Sequence, residues 1–152
     1  MTSTVTSPAT HPILAPGVAT DARFEHVREM FAADRASQAL GMTITHLDLE
    51  EVRGHFTVTE EMCNGHGTAQ GGVLTTFADA LFAGACNAPG DIAVAAQLSI
   101  HFVSPARVGD VVEGHATTRA AWGRNGITDV ALTCNGKLVA EFRGTSRTVR
   151  SA

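Results

Sequence analysis

The run VLTTFADALFAGAC, residues 73–86, carries a single charge, Asp79, in an otherwise apolar or small and uncharged stretch. Its length, and the NAPG that ends it, predict the longest helix of the chain, from about Gly72 to Cys86. A helix apolar around most of its circumference must be surrounded by protein on most sides. The residues after it supply one of those sides. Segments 92–102, 110–122, 126–134 and 137–149 read as strands, and CNGK between the last two is a two-residue hairpin signal, because Asn-Gly accepts the positive φ values of a type I′ turn. Strands joined by hairpins make an antiparallel sheet, and an apolar helix packs on one face of it. The fold class is therefore α+β, one long central helix in a curved antiparallel β-sheet. The helix side away from the sheet is expected to meet a second subunit.

The remaining segments fit around that unit. FEHVREMFAADRASQALG, residues 24–41, sets Phe24, Val27 and Phe31 on one helical face, with Gly41 as the stop. MTITHLDL and VRGHFTVT alternate like strands, with Glu50 and Glu51 as the turn between them. In IAVAAQLSIHF, strict alternation points Ile92, Val94, Ala96, Leu98, Ile100 and Phe102 toward the core, and the intervening residues outward. The first 20 residues, rich in Thr, Ser, Pro and Ala, read as a disordered leader, and 21–152 as one domain.

Several function classes are disfavoured at this stage. A net charge of −4 without a basic stripe gives no affinity for nucleic acid. No apolar run approaches membrane-spanning length, and the N-terminus lacks the pattern of a secretory signal. Three scattered cysteines, Cys63, Cys86 and Cys134, suggest reduced thiols and a cytoplasmic setting. Cys63 and His66 lack the second ligand pair that structural zinc needs, so no metal site is expected. Cys63 also lacks an orienting partner for nucleophilic chemistry. GHGTAQG superficially resembles a nucleotide loop, but no repeated βαβ unit accompanies it.

Asp79 then needs an explanation, since chains avoid burying a lone carboxylate. A structural acid bonded to a nearby hydroxyl is one. The other is chemical. Gly71 and Gly72 stand at the helix N-terminus, where free N–H groups favour a developing oxyanion, and Asn64 and His66 lie just upstream. Oxyanion donors plus a buried carboxylate are the equipment for attack on an acyl carbonyl. Asp79 is seven residues beyond Gly72, roughly 10 Å along the helix. Both groups can act on one carbonyl carbon only if they come from different chains, so the site is expected across a dimer interface.

NGHGTAQGGVLTTFADALFAGACN, with ALGM before it and HFVSPARVGD and EFRG after it, resembles the hotdog-fold acyl-CoA thioesterases of phenylacetate degradation, the hydroxyphenylacetyl-CoA thioesterase group. The likeness spans residues 24–149. It implies a hotdog fold, dimers by sheet extension and tetramers, and hydrolysis of an acyl-CoA, with an arylacetyl group expected, without metal or redox cofactor. It assigns Asp79 as general base or nucleophile, the Gly71 N–H to polarising the thioester carbonyl, and Asn64 to positioning water or substrate. Gly72, His66 and Gln70 are expected to contact substrate, and Arg124, in the GRNG loop, is a candidate phosphate ligand. The chain departs from the family pattern at two positions. Gln70 stands where the family carries His, and Ser104 where many members carry Arg. Gly84 occupies the position of a hydratase's catalytic His, which sets hydration aside. A noncatalytic acyl-CoA-binding module on the same scaffold is the competing reading, which Gln70 keeps open.

Overall fold

The computed structural model describes residues 10–149. Six strands, β1 (Thr43–Leu47), β2 (Glu51–Thr57), β3 (Ala93–Phe102), β4 (Val111–Trp122), β5 (Asn125–Cys134) and β6 (Lys137–Thr148), form one antiparallel sheet in the order β1-β2-β4-β5-β6-β3. Helix α1 (Glu25–Ala33) and the short α2 (Arg35–Ala39) precede the sheet, and the long α3 (Gly71–Asn87) lies across one face of it. This is the expected helix-in-sheet arrangement, with α3 one residue longer at each end.

Alternation decides which sheet face α3 covers. Val52, Phe56, Val112, Ala116, Val130, Leu132, Ala140 and Phe142 are all buried beneath the helix residues Leu74, Phe77, Leu81 and Phe82. Phe56 and Phe77 stack with ring centroids 4.8 Å apart, and Phe82 and Phe142 at 5.8 Å. Two strand glycines set how closely the helix approaches. A Cβ at Gly114 would lie 2.2 Å from Leu81 Cδ1, and one at Gly144 would lie 2.5 Å from Phe82 Cε2. At the far end Asn87 fixes the helix to the next strand. Its Nδ2 donates to the carbonyls of Ala83 and Ala93, each at 3.0 Å, and its Oδ1 accepts from Ala93 N–H at 3.0 Å. His26 of α1 reaches the Asn87 carbonyl at 2.7 Å.

Four expectations are corrected. The leader expected over residues 1–20 is ordered in its second half, while residues 1–9 lie outside the described residues. Ile13 and Leu14 are 2 % exposed, Ile13 O accepts from Ile44 N–H at 2.9 Å, and Ala15 N–H donates to Ile44 O at 2.9 Å, so this segment covers the free edge of β1. His11 supports it, its Nδ1 accepting from the N–H groups of Ile13 and Leu14 at 3.1 and 2.9 Å. Second, the helical face of 24–41 is interrupted at Asp34, whose carboxylate accepts from Ser37 N–H at 3.0 Å and starts a new helix. Third, the β1–β2 turn lies at Asp48–Glu50 rather than at Glu50–Glu51. Asp48 Oδ1 accepts from Glu50 and Glu51 N–H at 2.8 and 2.9 Å, which lets Glu51 enter β2.

The fourth correction concerns β3. A bulge between Ala95 and Gln97 shifts its register, so Ala95, Leu98, Ile100 and Phe102 pair opposite the inward residues of β6, whereas Val94 pairs opposite outward Arg147. Even among the inward residues Leu98 is 39 % and Phe102 53 % exposed. β3 is the last strand of the sheet, and among the described residues nothing pairs with its outer edge. Alternation predicts which side a residue takes, but a terminal strand has no neighbour to complete its cover. The predicted β5–β6 hairpin is as expected, with Asn135 at φ 50° and Gly136 at φ 76°.

Candidate active site

The loop before α3 is built around Asn64. Its Oδ1 accepts from His66 N–H at 2.9 Å and from the N–H and hydroxyl of Thr68, each at 3.3 Å. Its backbone N–H donates to Thr68 O at 2.8 Å, and its carbonyl accepts from Gly67 N–H at 3.0 Å. Gly67, at φ 74°, makes the reversal possible. Ala69 N–H then donates to Ala106 O, and Gln70 N–H to Met62 O, which fixes the entry into α3. Val73 and Leu74 N–H bond back to Gln70 O, but the N–H groups of Gly71 and Gly72 have no acceptor among the described residues. Two unused donors at the positive end of a 17-residue helix are a site for developing negative charge.

A cleft of about 450 Å³ opens at this end, lined by Asn64, Thr68, Gly71, Leu74, Phe102 and Ser104 among others. Phe102, from the end of β3, lies directly against Gly71: a Cβ there would meet the ring at 2.8 Å. Any side chain at Gly71 would displace the ring or close the approach to the N–H. Ser104 donates its hydroxyl to Leu138 O and is therefore engaged within the fold.

Asp79 lies elsewhere on α3. Gly72, Thr76, Asp79, Ala83 and Cys86 recur every three or four residues, and none is buried, which marks the helix side turned away from the sheet. Within one protomer the expected buried carboxylate is thus half-buried. It has no hydrogen-bond partner or ion pair among the described residues. Partial loss of water, and secondarily the Asp34 carboxylate, push its pKa above the ordinary Asp value. Two turns further on, burial is the main cause that pushes the Cys86 thiol up to about 12, so it stays protonated and inert at neutral pH.

The structure brings Asn64 and Gly71 into one cleft and leaves Asp79 outside it. Eight residues separate Gly71 and Asp79, about 12 Å of helix rise. Gly72 is exposed beside the cleft, and Gln70, exposed at the N-cap position, makes no side-chain cap bond. His66 is exposed and contributes its backbone N–H to the loop. Arg124 is at the opposite end of α3, in a smaller hollow of about 180 Å³ with Cys86, Asp91 and Ser146. Thr68 is not singled out by the sequence, and Phe102 is singled out only as a core-facing strand residue, not as part of the site. Phe102 reaches Gly71 from 31 positions away, a proximity that no local pattern encodes. Among the described residues no group of three or more His, Cys, Asp or Glu is placed to hold a metal.

Three comparisons bear on this geometry. The Thioesterase superfamily profile matches residues 66–140. The acyl-coenzyme A thioesterase PaaI of Escherichia coli (strain K12) is 35 % identical over 127 residues, covering 83 % of this chain and 91 % of that protein. The solved structure of E. coli PaaI, from the phenylacetic acid degradation operon, superposes with a TM-score of 0.82 at 34 % identity, over 86 % of this chain and 95 % of that one. The TT0310 protein of Thermus thermophilus superposes at 0.74 with 35 % identity, over 76 % and 98 %.

Proposed function

The chain belongs to the thioesterase superfamily and is a thioester hydrolase; we propose that it cleaves an acyl-CoA to a free acid and coenzyme A, with an arylacetyl group such as phenylacetyl or hydroxyphenylacetyl as the acyl part. The observation that carries the catalytic reading is the pair of N–H donors at Gly71 and Gly72, unused among the described residues, with Gly71 lining a cleft shared with Asn64, while Asp79 stands without a partner among the described residues on the open side of the same helix. The E. coli relative named for acyl-coenzyme A hydrolysis, whose structure is assigned to a phenylacetic acid operon, supports the substrate class.

In this mechanism the thioester carbonyl oxygen rests on the Gly71 N–H of one protomer, and Asn64 orients the substrate. Asp79 of the partner subunit faces the carbonyl carbon and acts as general base. It takes a proton from water as the water oxygen bonds to carbon, and the tetrahedral oxyanion is held by the helix terminus. Collapse expels the coenzyme A thiolate, which is then protonated. Desolvation raises the basicity of Asp79 and so suits it to this role. Water is the only co-reactant, and no metal or redox cofactor enters. The assembly that places the two groups together is a homodimer joined through the open edge of β3, paired further into a tetramer. A cytoplasmic setting agrees with the three free thiols, and no helix among the described residues is long and apolar enough to cross a membrane.

Subunit complementation tests the shared site. Asp79→Asn and Asn64→Ala chains, each inactive alone, are unfolded together, refolded as a mixture and assayed for loss of phenylacetyl-CoA absorbance. A hybrid dimer holds one intact site, so activity recovers to about a quarter of the native value. No recovery from well-folded hybrids places both groups in one chain. Hydrolysis in ¹⁸O-water separates the two roles of Asp79: label found only in the acid product fits the base, and label in Asp79 itself the nucleophile.

A further inference from the structure

Two hydroxyls on α3 point back along the helix. Thr75 Oγ1 donates to Gly71 O at 2.7 Å, and Thr76 Oγ1 donates to Gly72 O at 2.9 Å. A hydroxyl has one proton to give and two lone pairs to offer. With its proton committed to the helix, Thr75 presents only an acceptor to its surroundings. Asp79, one turn further on, is likewise an acceptor when ionised.

Position separates Thr75 from Thr76. Gly71, Thr75 and Asp79 follow one another at intervals of four, so Thr75 stands midway between the oxyanion donor and the base on one line of the helix. That line runs beside β3. Gly71 lies against Phe102, the last residue of β3, and Cys86, beyond Asp79, shares a hollow with Ala93, the first. Thr75 is half-buried on this line, whereas Thr76 is exposed and about 100° further round the helix. Side chains of an α-helix lean toward its N-terminus, so the Asp79 side chain inclines over the turn that carries Thr75. Positions four apart have Cβ atoms about 5–6 Å apart, a spacing at which one water bridges two acceptors through hydrogen bonds of about 2.8 Å. A water held in this way gives both its protons to α3. Its lone pairs then face away from the helix, toward the neighbouring protomer whose Gly71 holds the carbonyl.

We propose that Thr75 is a further catalytic residue: with Asp79 of the same chain it holds the attacking water by its two protons and so aims the water oxygen at the carbonyl carbon. This rests on the hydrolase reading above, with Asp79 as the base. As the water oxygen bonds to carbon, the proton facing Asp79 passes to its carboxylate, and the carbonyl π pair moves onto the oxygen at Gly71. The proton facing Thr75 stays on the tetrahedral adduct as its hydroxyl. When the C–S bond breaks, the oxyanion pair re-forms the carbonyl and the thiolate takes the proton from Asp79.

Thr75→Val keeps the branched shape and removes the acceptor, and Thr75→Ser keeps the acceptor. On phenylacetyl-CoA the valine variant is expected to lose about ten- to fiftyfold in kcat with KM unchanged, and the serine variant to stay within about threefold of the native rate. Circular dichroism of both should match the native protein. In an Asp79→Asn background the same Thr75→Val change is expected to cost less than about twofold, because the water it holds then has no base to receive its proton. Equal losses in the two backgrounds would mean that Thr75 acts only on the helix terminus, through its bond to Gly71 O, and would overturn the role. Full activity of Thr75→Val, or no recovery in Thr75→Ser, also overturns it and leaves the hydrolase reading standing. If the native protein cleaves no thioester, the hydrolase reading falls and the role of Thr75 falls with it.

Discussion

Asp79 is a carboxylate with no hydrogen bond among the described residues, on the helix side that the sheet leaves open, with Asp34 as a like-charged neighbour. A structural acid would be expected to accept N–H or O–H donors, as Asp34 and Asp48 do. The Asp79→Asn variant is therefore expected to lose about 10²- to 10⁴-fold in kcat without losing the fold. The sign of its stability effect follows from linkage. The folded pKa lies above the unfolded one, so the contribution is full below the unfolded pKa and is lost as pH rises through the folded value. At neutral pH, Asp79→Asn should melt at a temperature equal to or above that of the native chain, and a clear drop would favour a structural role. For the same reason the acid limb of kcat/KM should sit above the ordinary Asp range. Gly71→Ala is a second test at this scale. The added methyl meets Phe102 at 2.8 Å, so thioester turnover should fall steeply while circular dichroism stays native. Phe102→Ala combined with it should restore part of the rate, which a role for Gly71 in backbone conformation alone would not allow.

Among the elements, α3 is positioned by what the strands omit. Leu81 occupies the space over Gly114, and a Cβ there would come within 2.2 Å of it and 2.9 Å of Phe77. Gly114→Ala is expected to cost about 1–3 kcal/mol in urea unfolding through overpacking. It should also lower activity, by shifting the helix that carries Gly71. Gly136→Ala, in the β5–β6 turn at φ 76°, should cost about 1 kcal/mol and leave kcat/KM unchanged, because the strain is local. β3 shows the limit of pattern reading. Its alternation is clear in the sequence, yet the bulge at Ala95/Gln97 turns Val94 outward and leaves Ala95 facing in. A bulge is set by pairing with β6, and no residue of β3 announces it. The split of the first helix at Asp34 was more accessible, since an Asp three residues before Ser37 N–H is a recognisable cap.

For the molecule as a whole, acid stability rests on carboxylates tied to cations on the outer sheet face. Arg143 holds Asp129 below the usual carboxylate range through bonds of 2.6 and 2.8 Å, and Arg53, then His115, do the same for Glu51. Depressed pKa values give stability above the unfolded pKa that is lost as pH falls through the folded one. The melting temperature should therefore fall as the pH drops below about 4, and Asp129→Asn should flatten that fall. Much of this architecture was determined by the sequence alone. The lone charge in an apolar helix, the hairpin turn at Asn135-Gly136, the strand periodicities and the glycine pair before the helix are local features, encoded within a few residues of one another. They identified the helix, the antiparallel sheet, and Asn64, Gly71 and Asp79 as the residues to examine. The tertiary structure alone decided the rest. It ordered Ile13 and Leu14 against β1, brought Phe102 onto Gly71 and set Asp79 apart from the cleft. Each of these depends on contacts between residues distant in the chain. Such contacts are fixed by which faces meet when the core closes, and periodicity along the chain does not specify that.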